Sequence, residues 1–257
     1  MVWVDSDRSH QTMTVRIMTL LLPAYDAAMM PDMIHEAFGA EARQLSGVLA
    51  GLDEAAFARP TACDPWTVAE LVCHLRMGVG RLPGMLAAPE PAGPDLVSAA
   101  GYYRADQRFS PATNADRIQS AQRGAAALAG AAARARDFDA ARRQAESALR
   151  DAAPERVVRT RHGDPMLLTE FLRTRVLELA VHGLDLAAAL DREPWMTIEA
   201  AQVTEDLLLP SVAASRLRAE TGWDRVGLIA RLTGRRPVTP AETDLIQSTG
   251  IGRLALG

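Results

Sequence analysis

Val68, Leu71, Val72, Leu75, Val79 and Leu82 follow one another mainly at steps of three and four residues, the period of a helix with one apolar face. The same period runs through Ile34, Phe38, Leu45, Val48 and Leu49, in a segment from Met33 to Leu52. A long Ala- and Arg-rich stretch, roughly 114–151, reads as a third helix, with Gly124 and Gly130 as its weak points. A fourth runs roughly from Leu168 to Leu190 and stops before Arg192-Glu193-Pro194. Extended pieces are short: Val157 and Val158, then the turn His162-Gly163-Asp164-Pro165. Strands and helices do not alternate often enough for a doubly wound sheet. The expected fold is all-α, a four-helix bundle with a crossover connection.

Local signals set the boundaries. Thr67 and Glu70 fit a capping box at the start of the second helix, with Asp64 and Pro65 as a competing start. That helix is expected to end near Pro83-Gly84. Residues 53–64 read as a turn-rich link, and residues 88–95, rich in Pro and Gly, as a loop. Three regions follow: a loosely ordered N-terminal extension (1–32), the bundle (33–191), and a small C-terminal helical extension packed on it (192–257). The last is expected to hold one or two helices and an Arg/Pro-rich loop at Gly234–Pro237.

Composition narrows the function. Hydrophobic residues make up 48% and charged residues 23% of the 257, the balance of a soluble globular protein. A net charge of -4 and a pI near 5.8 argue against a nucleic-acid partner. All 28 basic residues are arginine, which removes Schiff-base and P-loop lysines from consideration. Abundant Ala and Arg with a single Asn, Asn114, suit a high-GC genome such as an actinobacterium's. Cys63 and Cys73 do not make a disulfide framework and read as reduced, buried and inert. No apolar run reaches the length of about 18 residues that a membrane helix needs. Val15–Ala24 is apolar, but Pro23 and Asp26 interrupt it. The expectation is a cytoplasmic protein with no membrane partner; oligomeric state is open, a homodimer included.

Chemistry concentrates in the fourth helix. Glu178 and His182 stand at i,i+4 and project from one face, with Asp185 one turn further along. A carboxylate and an imidazole at this spacing reach one ion at about 2.0–2.2 Å. By spacing alone such a pair is more often solvated or locally hydrogen-bonded, and a histidine like His74 on an apolar helix is more often a satisfied core histidine than a ligand. Gly183 offers room for a neighbouring backbone or ligand.

Two blocks carry a resemblance. Pro60-Thr-Ala-Cys-Asp-Pro-Trp66-Thr-Val-Ala-Glu-Leu-Val-Cys-His74-Leu resembles the Trp-Thr/Ser-Val…His-Leu signature of the DinB-like, mycothiol-dependent enzymes. His162-Gly-Asp-Pro followed by Arg175-Val-Leu-Glu178-Leu-Ala-Val-His182-Gly-Leu-Asp185-Leu resembles that family's second block. The blocks lie about 100 residues apart in the family's order, and Leu232-Thr-Gly-Arg235 echoes a third, C-terminal element. The resemblance covers roughly residues 35–240. It departs in Pro65, where relatives carry Gly before the Trp, and in a C-terminal α/β domain that is reduced or absent.

The resemblance implies a DinB-like bundle whose metal ligands, and catalytic centre, are His74, Glu178 and His182. The implied metal is Zn2+ or another divalent ion such as Ni2+, and three protein ligands leave an open position. It further implies a low-molecular-weight thiol, mycothiol, as cosubstrate, with Asp185 orienting a ligand or binding the thiol. Arg175, Arg235 or Arg236 are candidates for holding a carboxylate or sugar hydroxyls. The expected function is mycothiol S-transfer to an activated small-molecule electrophile. The alternatives are a maleylpyruvate-type mycothiol-dependent isomerase, a metal-dependent hydrolase, and a non-enzymatic DinB-like bundle.

Overall fold

A computed structural model describes residues 30–93, 95–103, 110–153 and 155–249. Residues 1–29 of the expected N-terminal extension, the apolar stretch Val15–Ala24 and Pro94 of the expected loop lie outside them.

Four helices form the core: α1 (Met30–Ala50), α3 (Val68–Val79), α7 (Ala131–Leu149) and α8 (Leu168–Ala189). Helix α1 packs on α7 and α8, and α3 packs on the same two. The expected all-α bundle is what the chain forms. Short helices fill the connections: α2 (Glu54–Phe57), α4 (Leu82–Ala87), α5 (Ala99–Tyr102) and α6 (Pro111–Ala126), the last lying along α3. The strands β1 (Val157–Arg159) and β2 (Pro165–Leu167) pair antiparallel, with Val158 opposite Met166, and lead directly into α8. Gly163 turns the hairpin at φ +91°, a conformation glycine adopts without strain.

Helix α8 is the central element, with most of its residues buried, from Leu168 and Phe171 to Leu186 and Ala187. An apolar helix of this kind gains its stability by removing about 25 cal/mol per Å² of apolar surface from water. Its far side carries α9 (Ile198–Leu208), which also packs on α1, and then α10 (Ser211–Thr221), α11 (Arg225–Leu232) and α12 (Pro240–Ser248). Leu177, Val181 and Leu184 of α8 share a second apolar cluster with Leu217, Leu228 and Ile229 of these helices.

Several boundaries differ from expectation. The capping box forms: Glu70 Oε2 accepts from the Thr67 N–H at 2.7 Å and from the Thr67 hydroxyl at 2.9 Å. The helix it starts ends at Val79, because Pro83 sits in the first turn of a new helix, where its missing N–H costs nothing. The long third helix is two, α6 and α7, parted at Gly130 with φ +87°. The turn-rich link contains α2, and the C-terminal region holds four helices among the described residues rather than one or two. Gly183 is not a point of close approach: a Cβ there would meet only Trp195 Nε1 at 3.6 Å and Glu41 Oε1 at 3.8 Å, ordinary contacts. None of the helices formed by the described residues is long and apolar enough to cross a membrane.

Candidate metal centre

His74 comes from the middle of α3, and Glu178 and His182 from successive turns of α8 where the two helices pack. Glu178 Oε2 lies 3.5 Å from His74 Nε2 and 3.4 Å from His182 Nε2, and one donor atom of each residue falls within 4.8 Å of the others. Charge-assisted hydrogen bonds are shorter, about 2.7–2.9 Å. Ligands at about 2.0–2.1 Å from a tetrahedral ion stand about 3.4 Å apart, so these separations suit donors around a shared cation. Two imidazoles and a carboxylate are also the right chemical set.

Each donor is held from behind. The ring of Trp66 stacks on that of His74, with centroids 4.9 Å apart. Tyr103 Oη is 3.1 Å from Glu178 Oε1 and 3.1 Å from the Thr174 carbonyl oxygen. Occupying Oε1 leaves Oε2 for the histidines. His182 Nδ1 lies 2.8 Å from Asp185 Oδ2, and Arg235 donates to both Asp185 oxygens at 3.0 Å each. A His–carboxylate contact of this kind fixes the tautomer and ring orientation of a metal-binding imidazole. The Cys63 thiol donates to Asp185 Oδ2 at 3.2 Å and sits 3.7 Å from His182 Nδ1. The loop that delivers Cys63 and Trp66 is closed by three bonds: Thr61 N–H to Trp66 O, Trp66 N–H to Cys63 O, and Val68 N–H to Arg59 O.

The charges are strongly perturbed. Burial alone would raise Glu178, but hydrogen bonds to His182 and His74 and the charge of Arg175 hold it well below the usual range. Burial likewise opposes protonation of His182, yet Asp185, Cys63 and Glu178 push it well up. For His74 burial wins, and Glu178 only partly offsets it. Asp185 is brought down to about 2 against its burial, by hydrogen bonds to His182 and Arg235.

The triad opens onto a cavity of about 590 Å³. Of the arginines and Asp185 singled out from sequence, Arg175 lines this cavity, whereas Asp185 and Arg235 stand behind His182 and do not. Cys63, Trp66, Tyr103, Arg81, Arg117 and Arg161 also line it. Sequence reading missed these as site residues; only Cys63 and Trp66, both inside the first block, carried a signal. Cys73 is different: it is buried where α3 meets α6, at a point where any Cβ on Gly124 would overlap its sulfur. The donor atoms of Cys63, His182 and Asp185 also converge, but Arg235 already occupies both Asp185 oxygens and would repel a cation there.

The family model of the mycothiol maleylpyruvate isomerase N-terminal domain matches residues 38–187, more than half of the chain. The chain belongs to this family. The matched span runs from within α1 to the last turn of α8 and includes His74, Glu178, His182 and Asp185. No curated protein and no solved structure matches the chain. Helices α9 to α12, and with them Arg235, lie beyond the matched span, so the clamp on Asp185 comes from outside the family domain.

Proposed function

We propose that this protein is a divalent-metal-dependent S-transferase that uses mycothiol as its thiol. The observation that carries the reading is the convergence of His74 Nε2, Glu178 Oε2 and His182 Nε2 at one end of the cavity. Membership of a family named for a mycothiol-dependent enzyme supports the choice of thiol. His74, Glu178 and His182 would hold the metal, which when bound lowers the pKa of a coordinated thiol until the sulfur is a nucleophilic thiolate near neutral pH.

The chain's own residues do the rest. Asp185 keeps Nδ1 of His182 engaged, so that Nε2 faces the other two donors, and Arg235 keeps Asp185 ionised. Tyr103 turns Glu178 so that one oxygen faces the histidines. Trp66, Ile118 and Phe171 give the cavity apolar wall, which limits water around a reactive sulfur. Neither cysteine is needed as nucleophile: the Cys63 thiol is spent on Asp185, and Cys73 is away from the cavity.

The test is metal content together with turnover. Elemental analysis of the purified chain should find about one divalent ion per protein, and mass spectrometry of a reaction with mycothiol should find a new thioether. Turnover that is unchanged without thiol would replace this reading with metal-dependent hydrolysis. The family's name favours one second reading, the isomerase. It would give a product of unchanged mass and return the thiol.

A further inference from the structure

Helix α6 forms one wall of the triad's cavity, and it is held unevenly. Its N-terminal half contributes Asn114, Asp116, Arg117, Ile118 and Ser120 to the lining. None of residues 111–120 is buried, and Ile118 reaches the core only as a half-buried neighbour. The buried residues of α6, Ala121 and Ala125, lie in its C-terminal half. There the backbone comes so close to α3 that a Cβ on Gly124 would overlap Cys73 Sγ. Among the described elements α6 packs closely on α3 alone, whereas α8 packs on α1, α3 and α9. A helix that buries two small side chains against one neighbour removes little apolar surface from water. Segments with few buried apolar contacts open locally at low free-energy cost.

What the N-terminal half of α6 meets is stiff by comparison. The β1–β2 turn is closed by the Gly163 N–H on the Thr160 carbonyl at 3.0 Å and the Thr160 N–H on the Asp164 carbonyl at 2.9 Å. Arg159 Nη1 adds a bond to the Gly163 carbonyl at 2.9 Å. Arg161 of that turn lines the cavity and lies 3.6 Å from Asp116 of α6. The Asp116 side chain is 65% exposed and that of Arg161 25%, so the pair joins helix and turn at the cavity's rim. An ion pair this long and this exposed holds weakly and breaks readily.

We propose that α6 is a lid over the triad's cavity. It pivots where Ala121, Gly124 and Ala125 meet α3, and it is latched to the β1–β2 turn by Asp116 and Arg161. Breaking the latch lets the N-terminal half tilt away and admits a small molecule; remaking it closes the wall and limits water around what has entered. The lid governs access whatever reaction the cavity performs, so it does not rest on the proposed thiol transfer.

Cys63 supplies the reporter, since its thiol is 6% exposed and lines the cavity. The full chain is treated with iodoacetamide at fixed pH and metal content, and labelling is followed by peptide mass spectrometry. The sulfur bonds to the reagent's methylene carbon, iodide leaves with the bonding pair, and the thiol proton goes to solvent. Asp116→Arg and Arg161→Asp should each speed Cys63 labelling about two- to fivefold, the range set by an exposed ion pair. The double variant Asp116→Arg with Arg161→Asp restores an opposite-charge pair and should return the rate to near the parent's. A field effect on the thiol would move the two single variants in opposite directions, because their charge changes are opposite. Cys73, buried at the pivot, should label no faster in any of them. Unchanged rates in both single variants, opposite changes in the two, or a double variant as fast as the singles overturns the lid. Cys73 labelling in step with Cys63 would mean that α6 leaves α3 altogether, and overturns the pivot.

Discussion

At the inner end of the cavity every chemically important side chain has a fixed neighbour: Trp66 under His74, Tyr103 on Glu178, Asp185 and then Arg235 behind His182. At the arginine-lined end the reverse holds. Arg81 and Arg175 have no carboxylate within ion-pair distance among the described residues; burial and then the charges of Arg161 and Arg175 press on Arg81, while Tyr102 and Glu178, against burial, favour the charge of Arg175. A centre whose geometry must not change is locked by the protein itself. A recognition surface leaves part of its electrostatics to be completed by what it binds. The two ends should therefore fail differently.

The largest effect is expected at the locked end. His182→Ala should lose bound metal and reduce turnover to background while the far-ultraviolet circular dichroism stays helical; full metal occupancy in this variant would take His182 out of the site. Next comes Asp185→Asn, which leaves the ligands in place but loosens His182. Loss of such a supporting partner costs roughly 10–100-fold in metal affinity, measurable by competition with a chelator. An unchanged affinity would make the Asp185–Arg235 pair a purely structural contact.

Ionic strength sharpens the contrast without any mutation. Salt raised from about 0.01 M to about 0.15 M shortens the screening length from about 30 Å to about 8 Å. Binding of added inorganic phosphate at the arginine-lined end should weaken several-fold over that range, and metal occupancy should not move. Gly124→Ala forces α6, which carries Arg117, away from α3, which carries His74. Overpacking of this kind costs about 1–3 kcal/mol. A melting curve should show Tm lower by several degrees, and anion binding should suffer more than metal binding.

The smallest effect lies outside the cavity. Glu41 is buried at 1% exposure and accepts from the Thr197 N–H and hydroxyl, and burial raises its pKa. A carboxyl whose folded pKa is raised favours the fold while protonated, and that contribution is lost as pH rises through the folded value. Glu41→Gln keeps an acceptor for Thr197 and removes the charge. Its Tm relative to the parent should therefore be higher at pH 7 than at pH 4.5, with neither end of the cavity altered. A Tm difference that is the same at both pH values would mean that Glu41 is not buried in its charged form.

What the chain's sequence determines by itself is whatever short spacing encodes. The capping box at Thr67 and Glu70, the apolar faces of α1 and α3 and the shared face of Glu178 and His182 are all set within a turn or two of helix. Those features were legible, as were the β1–β2 turn and the span of α8. Where a boundary was misread, as at Pro83 and Gly130, the residue type was correctly seen as a breaker, but either side of the break could continue as helix. The tertiary structure decided the rest. It brought Cys63 onto Asp185 across 122 residues and Arg235 across 50, and gathered Arg81, Arg117, Arg161 and Arg175 around one cavity. Among 28 arginines only Arg175, three residues before Glu178 in the second block, is marked by its neighbours; no local spacing distinguishes Arg81, Arg117 and Arg161, because a solvated arginine and a buried one have the same near neighbours in sequence. They differ only in which other helices pack over them, and the burial of apolar surface that decides that packing is non-directional and involves the whole chain.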